Sequence, residues 1–188
     1  MPIRRAIATF LLKVSRWRII GDVPRDTSFV LVGAPHTTNW DFILFVVAVW
    51  FLEIKPAYIA KHSLFKPGVA WFFRGLGGIP VDRSKSQSLV DQLTAHFHVD
   101  DNFALVMAPK GTRSYREYWK TGFLIIARGA QVPLIAASIN YTTRTVTIGT
   151  PVDATAPTKD IMNQLRVDMR DGVGKKREAE GPVRLQNE

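Results

Sequence analysis

Apolar and polar positions follow two rhythms along the chain. Ile3, Ala6, Ile7, Phe10, Leu11, Val14 and Trp17 recur at helical spacing, which predicts an amphipathic helix over residues 1–20. Arg5, Lys13 and Arg16 fall on the opposite side, and Arg4 and Arg18 lie near the apolar edge, where long basic side chains can snorkel. Beyond the helix, short apolar runs alternate with longer periodic ones. Strands are expected at 28–34, 57–61, 79–81, 103–108, 132–141 and 144–149, the last two around a Thr142-Thr143 turn. Helices are expected at 41–53, 65–76 (ended by Gly75, Gly77 and Gly78), 86–97, 118–128 (with Gly129 past its end) and 160–169. This alternation argues for a single α/β domain, with a largely parallel central sheet flanked by helices and an N-terminal amphipathic helix.

Three segments follow: the helix at 1–20, a domain at 21–170, and a charged, glycine-containing tail at 171–188 that is expected to be loose. The first helix has two readings, docking on an anionic membrane or packing on its own domain. No apolar run reaches the ~20 residues needed to span a bilayer. The longest runs from Phe42 to Leu52, between Asp41 and Glu53, and suits a buried helix. With no secretory signal at the start, the expected location is cytoplasmic and peripheral on the inner face of the membrane.

Composition narrows the chemistry. The 188 residues suit one domain. Lys plus Arg is 25 against 16 for Asp plus Glu, a net charge of +9, so an anionic partner is expected: a phosphorylated ligand, an anionic membrane or nucleic acid. No basic stripe interleaved with aromatics supports nucleic acid. The chain has no cysteine, which excludes disulfides, thiolate nucleophiles and cysteine-based zinc sites.

Candidate chemistry lies in three loops after expected strands, where open α/β sheets place their sites. In Ala34-Pro35-His36-Thr37-Thr38-Asn39-Trp40-Asp41, the imidazole and the carboxylate can meet only if the chain turns between them, and Thr-Thr-Asn is turn and cap material. A carboxylate holding one imidazole nitrogen leaves the other as a general base. The competing reading has Asp41 complementing its helix dipole and His36 as a solvated turn residue. The second loop carries Asp82, Arg83 and Ser84, and Arg83 could hold an anion or pair with Asp82 or Asp91. The third is Pro109-Lys110-Gly111-Thr112-Arg113-Ser114, with cations, hydroxyls and a glycine that lets backbone approach a ligand. Backbone N–H groups near the start of the Asp41 helix are candidate donors to a developing oxyanion. His62, His96 and His98 read as loop or surface histidines, and no metal site is evident.

Taken together, His36-x4-Asp41, Val81-Asp82-Arg83-Ser84, Pro109 to Ser114 and Val132-Pro133-Leu134-Ile135 resemble, in order and spacing, the blocks of the glycerolipid acyltransferase family, which includes the 1-acyl-glycerol-3-phosphate acyltransferases. The resemblance implies an O-acyltransferase that moves a fatty acyl group from acyl-CoA or acyl-carrier protein to a hydroxyl of a lyso-glycerolipid. These would be co-substrates, with no bound cofactor or metal. It implies His36 as the general base, Asp41 as its orienting partner, and Arg83, Gly111, Thr112 and Arg113 as ligands of the acceptor's phosphate. Its partners would be the lipid acceptor, the thioester donor and an anionic membrane surface, without nucleic acid; oligomeric state is not implied. The family usually has glutamate where this chain has Lys110. Lys110 could add phosphate affinity, admit a different headgroup, or mark a catalytically impaired lipid-binding homologue. Docking would rest on Ile3 to Trp17, with Trp71 and Phe72 beside Arg74.

Overall fold

The computed structural model describes residues 2–61, 65–81, 86–97, 99 and 102–188. Its centre is a seven-stranded sheet: β1 (Arg18–Ile20), β2 (Phe29–Ala34), β3 (Pro56–Lys61), β4 (Gly78–Val81), β5 (Ala104–Met107), β6 (Leu134–Asn140) and β7 (Thr145–Ile148), in spatial order β1-β7-β6-β2-β5-β3-β4. Strands β2 to β6 run parallel; β7 runs antiparallel to β6, and β1 pairs parallel with β7.

Alternation along each strand divides the core between two faces. Val30, Val32, Leu105, Leu134 and Ala136 point to one side, where they pack on α4 (Ser86–Phe97), α5 (Gly122–Ala130) and α6 (Thr158–Met169). Phe29, Leu31, Ala104, Ile135 and Ala137 point to the other, beneath the end of α2 (Trp40–Phe51). On that second side α1 (Pro2–Ser15) lies against α2 through Ala8, Leu12 and Val47. Phe73 of α3 (Ala70–Gly75) meets Phe42 of α2, ring centroids 6.4 Å apart.

The chain leaves β2 towards β3 and β4, returns to insert β5 beside β2, and then crosses to place β6 on the other flank of β2. The loops after β2, β5 and β6 therefore open next to one another at one edge of the sheet. Such a reversal of strand order makes a crevice that can receive a ligand.

Several expectations are corrected. The first helix ends at Ser15, and Arg16 turns the chain with a left-handed φ of 60°. Residues 18–20 then become an edge strand, because Trp17 and Ile19 alternate inward while Arg18 and Ile20 stay exposed. The expected helix at 65–76 shortens to α3. The helix expected from 118 starts at Gly122, because the N–H groups of Trp119 and Lys120 go instead to the carbonyls of Arg184 and Pro109. Gly129 lies inside α5, and Gln131 takes the left-handed cap position.

The largest correction concerns the tail at 171–188, which packs rather than hanging loose. Val173 bridges to Asn140, the Trp119 N–H donates to Arg184, and Leu185 is buried in the main core.

Candidate active site

The loop after β2 folds back on itself around one carboxylate. Asp41, at the start of α2, is 4% exposed. Its Oδ2 accepts the backbone N–H groups of Thr37 (2.7 Å) and Thr38 (2.8 Å). Its Oδ1 accepts the hydroxyls of Thr38 (3.0 Å) and Tyr141 (2.7 Å). His36 Nδ1 lies 3.3 Å from Asp41 Oδ2, with the ring partly open to solvent. The turn needed to join residues five apart is thus built by Asp41 itself, which gathers the amides of the loop that precedes it.

Burial alone would raise the Asp41 pKa. The contacts from His36, Thr38, Tyr141 and Thr37 outweigh it and hold the carboxyl well below the usual carboxylate range. Asp41 is therefore an anion at any pH near neutral. Burial, reinforced by the Asp41 carboxylate, pushes the Tyr141 phenol above its ordinary value, so Tyr141 remains a donor. The imidazole thus faces the carboxylate through Nδ1, an arrangement in which the other nitrogen, Nε2, can serve as a base. The Thr37 and Thr38 amides, which precede α2, are engaged by Asp41.

Sequence reading missed Tyr141. The available signal was positional: it is the first residue after β6, the parallel neighbour of β2. Tyr141→Phe removes a charge-assisted hydrogen bond, worth about 1.5–3 kcal/mol. A melting temperature several degrees lower is expected by calorimetry; an unchanged value would mean that the phenol does not support the loop.

The loop after β5 lies beside the His36 loop, as the register of β5 on β2 requires. Gly111 has φ +68° and closes a turn with its N–H on the Ala108 carbonyl at 2.9 Å. Glycine is suited to that left-handed conformation. The Ser114 N–H donates to Thr112 Oγ1 at 3.3 Å, and Arg113 is exposed. Lys110 behaves differently from its neighbours. It is 5% exposed, and its ammonium donates to the carbonyl of Ala179 in the tail. Ala34, Pro35, His36, Lys110, Trp119 and Gly181 line a recess of about 10 Å³, near the threshold for one water. Arg83, with Asp82 and Ser84, lies outside the described residues, as do His62, Ser63 and His98. Among the described residues no cluster of three or more His, Cys, Asp or Glu is placed to hold a metal ion.

No protein of curated function matches the chain in sequence. Among solved structures, the 1-acyl-sn-glycerophosphate (LPA) acyltransferase PlsC of Thermotoga maritima shares the fold with a TM-score of 0.61, at 22% identity, over 90% of this chain and 76% of that one. The sequence profile of the acyltransferase family matches residues 16–140, a stretch that holds the His36–Asp41 pair, the loop after β5 and all of β2 to β6. The chain belongs to the acyltransferase family.

Proposed function

We propose that the protein transfers a fatty acyl group from the thioester of acyl-CoA or acyl-carrier protein to the free hydroxyl of a lyso-glycerolipid, with 1-acyl-glycerol-3-phosphate as the first acceptor to test. The carrying observation is the placement of an imidazole, held by a buried anion, at the same strand edge as the cationic turn Gly111-Thr112-Arg113. The activity named for PlsC of Thermotoga maritima agrees with this reading.

In this account His36 Nε2 takes the proton of the acceptor hydroxyl as its oxygen attacks the thioester carbon. A C–O bond forms and the C–S bond breaks. The departing thiolate recovers the proton from the imidazolium, and no acyl-enzyme intervenes. Asp41 stabilises the imidazolium while it lasts. Thr112 and Arg113, with Arg83, hold the acceptor's phosphate, and the Gly111 turn lets it approach the backbone. The test is acyl transfer from labelled acyl-CoA and acyl-carrier protein to lyso-lipids with and without a phosphate monoester. Transfer selective for the phosphate-bearing acceptor is expected. Liposome binding without transfer to any acceptor would leave a lipid-binding protein instead.

Docking on an anionic bilayer belongs to the same proposal. No helix among the described residues is long and apolar enough to cross a membrane. Yet Ile3, Ile7, Phe10, Leu11 and Val14 of α1 are all exposed, Phe10 at 65%. The helix packs through Ala8 and Leu12, so the apolar face read from sequence is the face left outward. Trp40 and Ile43 of α2, and Trp71 and Phe72 of α3, add exposed apolar area, and Arg4, Arg5 and Lys13 are exposed on α1. An apolar face edged by cations suits a lipid headgroup layer. Replacing both Ile7 and Phe10 by Asp is expected to weaken binding to anionic vesicles at least ~10-fold, since each apolar side chain contributes about 1.5–3 kcal/mol on burial. Co-sedimentation measures this; unchanged binding would remove α1 from the docking surface.

A further inference from the structure

Lys110 lies in the loop after β5, and its surroundings do not suit a ligand for a soluble anion. Its side chain is buried, its ammonium is donated to the Ala179 carbonyl, and the charges acting on it are the carboxylates of Asp41 and Glu180. Burial holds its pKa below the ordinary lysine value, and those two acids offset only part of that. The ammonium is turned toward the protein's own tail.

That tail forms a strap over the catalytic loop. The N–H of Lys176 donates to Thr37 Oγ1 at 3.3 Å, and Thr37 in turn gives its own N–H to Asp41. The Gly174 N–H donates to Glu180 Oε1, which closes the strap on itself. The Lys175 ammonium sits 4.7 Å from the centre of the Trp40 ring. Gly181 lines the recess beside His36 and lies so close to the next loop that a Cβ there would fall 2.1 Å from the Arg116 carbonyl oxygen. None of these tail residues falls within the family-matched stretch 16–140.

We infer that Lys110 is a positioning residue that ties residues 174–181 across the His36 loop, and that this strap forms the outer wall of the recess beside His36. The inference rests on His36 being the catalytic base, but the tie itself can be read without any turnover. Lys110 reaches the reaction through the strap, and the strap through Thr37 and the wall at Gly181. The tail thus offers the Lys110 ammonium the Ala179 carbonyl and, through space, the negative charge of Glu180.

Two variants separate this from phosphate binding by Lys110. Lys110→Met keeps the stem and removes the donor. Gly181→Ala displaces the strap with Lys110 intact. Hydrogen exchange followed by peptide mass spectrometry is expected to show residues 174–181 exchanging at least ~10-fold faster in both variants, the scale of one lost hydrogen bond to a charged group. Peptides from β2 and β5 should exchange as in the parent protein. In transfer assays both variants should lose kcat with little change in acceptor KM, and Lys110→Arg should restore much of the loss. Wild-type exchange at 174–181 in Lys110→Met would overturn the tie, as would acceleration spread equally over β2 and β5. A rise in acceptor KM confined to Lys110→Met would also overturn it and return Lys110 to the acceptor's phosphate. If the parent protein transfers nothing, the exchange result alone decides the tie, and the failure then belongs to the acyltransferase mechanism.

Discussion

Asp41→Ala is expected to yield a protein that melts about 6–20 °C lower and transfers no acyl group. Removing the carboxylate leaves the Thr37 and Thr38 amides and the Thr38 and Tyr141 hydroxyls without their acceptor. Each buried, unsatisfied group costs about 1–3 kcal/mol, and water entering the site returns part of that. A net loss of ~3–5 kcal/mol is a large share of the ~5–15 kcal/mol that holds a domain together. Asp41→Asn should fold better, since one oxygen can still accept the two amides while the new NH₂ donates to the hydroxyls. It lacks the anion that, in the proposed mechanism, orients and stabilises the imidazolium, so transfer should fall by about 10²–10⁴-fold.

The same carboxylate sets a pH dependence. Its pKa is lower in the folded than in the unfolded protein, so the unfolded chain binds the proton more readily. The stabilisation is complete above the unfolded value of about 3.9 and is lost as pH falls below it. Calorimetry between pH 7 and pH 3 should therefore show a steeper loss for the parent protein than for Asp41→Asn. Parallel curves would mean that Asp41 is not held as an anion by the loop.

Much of the fold was legible because apolar spacing carries it. Phe29 to Ala34 and Leu134 to Ala137 are continuous apolar runs, and they became the centre of a parallel sheet buried on both faces. Leu93 and Phe97 at helical spacing became the buried stripe of α4. Spacing failed where tertiary contacts overrode it. Residues 118–121 look helical, but the N–H groups of Trp119 and Lys120 were claimed by the tail and by a strand-end loop. Residues 18–20 continue a helical pattern, yet an open edge at β7 offered them a ladder. The tail has the composition of a solvated end, and only its contacts with Thr37, Lys110 and Trp119 show why it is ordered.

The His36–Asp41 pairing could be reasoned from turn chemistry, because the residues between them favour a fold-back. Its supports could not. Tyr141 lies 100 residues from Asp41, and nothing in local sequence ties a tyrosine at a strand end to that carboxylate. Lys110 shows the reverse problem. Its charge was plain in the sequence and suggested an anion, but the direction of its side chain depends on a tail whose course spacing does not reveal.

His36→Ala is the second large effect expected. The ring is partly exposed, so its loss should leave the melting temperature within about 1–2 °C of the parent protein. Loss of a general base should lower transfer by about 10²–10⁴-fold. Asp41, Tyr141 and the threonines would remain in place, so the deficit would be chemical rather than structural. The decisive measurement is the single-turnover rate of acyl transfer to 1-acyl-glycerol-3-phosphate, with parent and His36→Ala proteins both saturated in donor and acceptor. A rate at least 100-fold lower in a variant that melts normally and still binds acceptor is the predicted result. A folded variant that transfers at the parent rate would contradict the account.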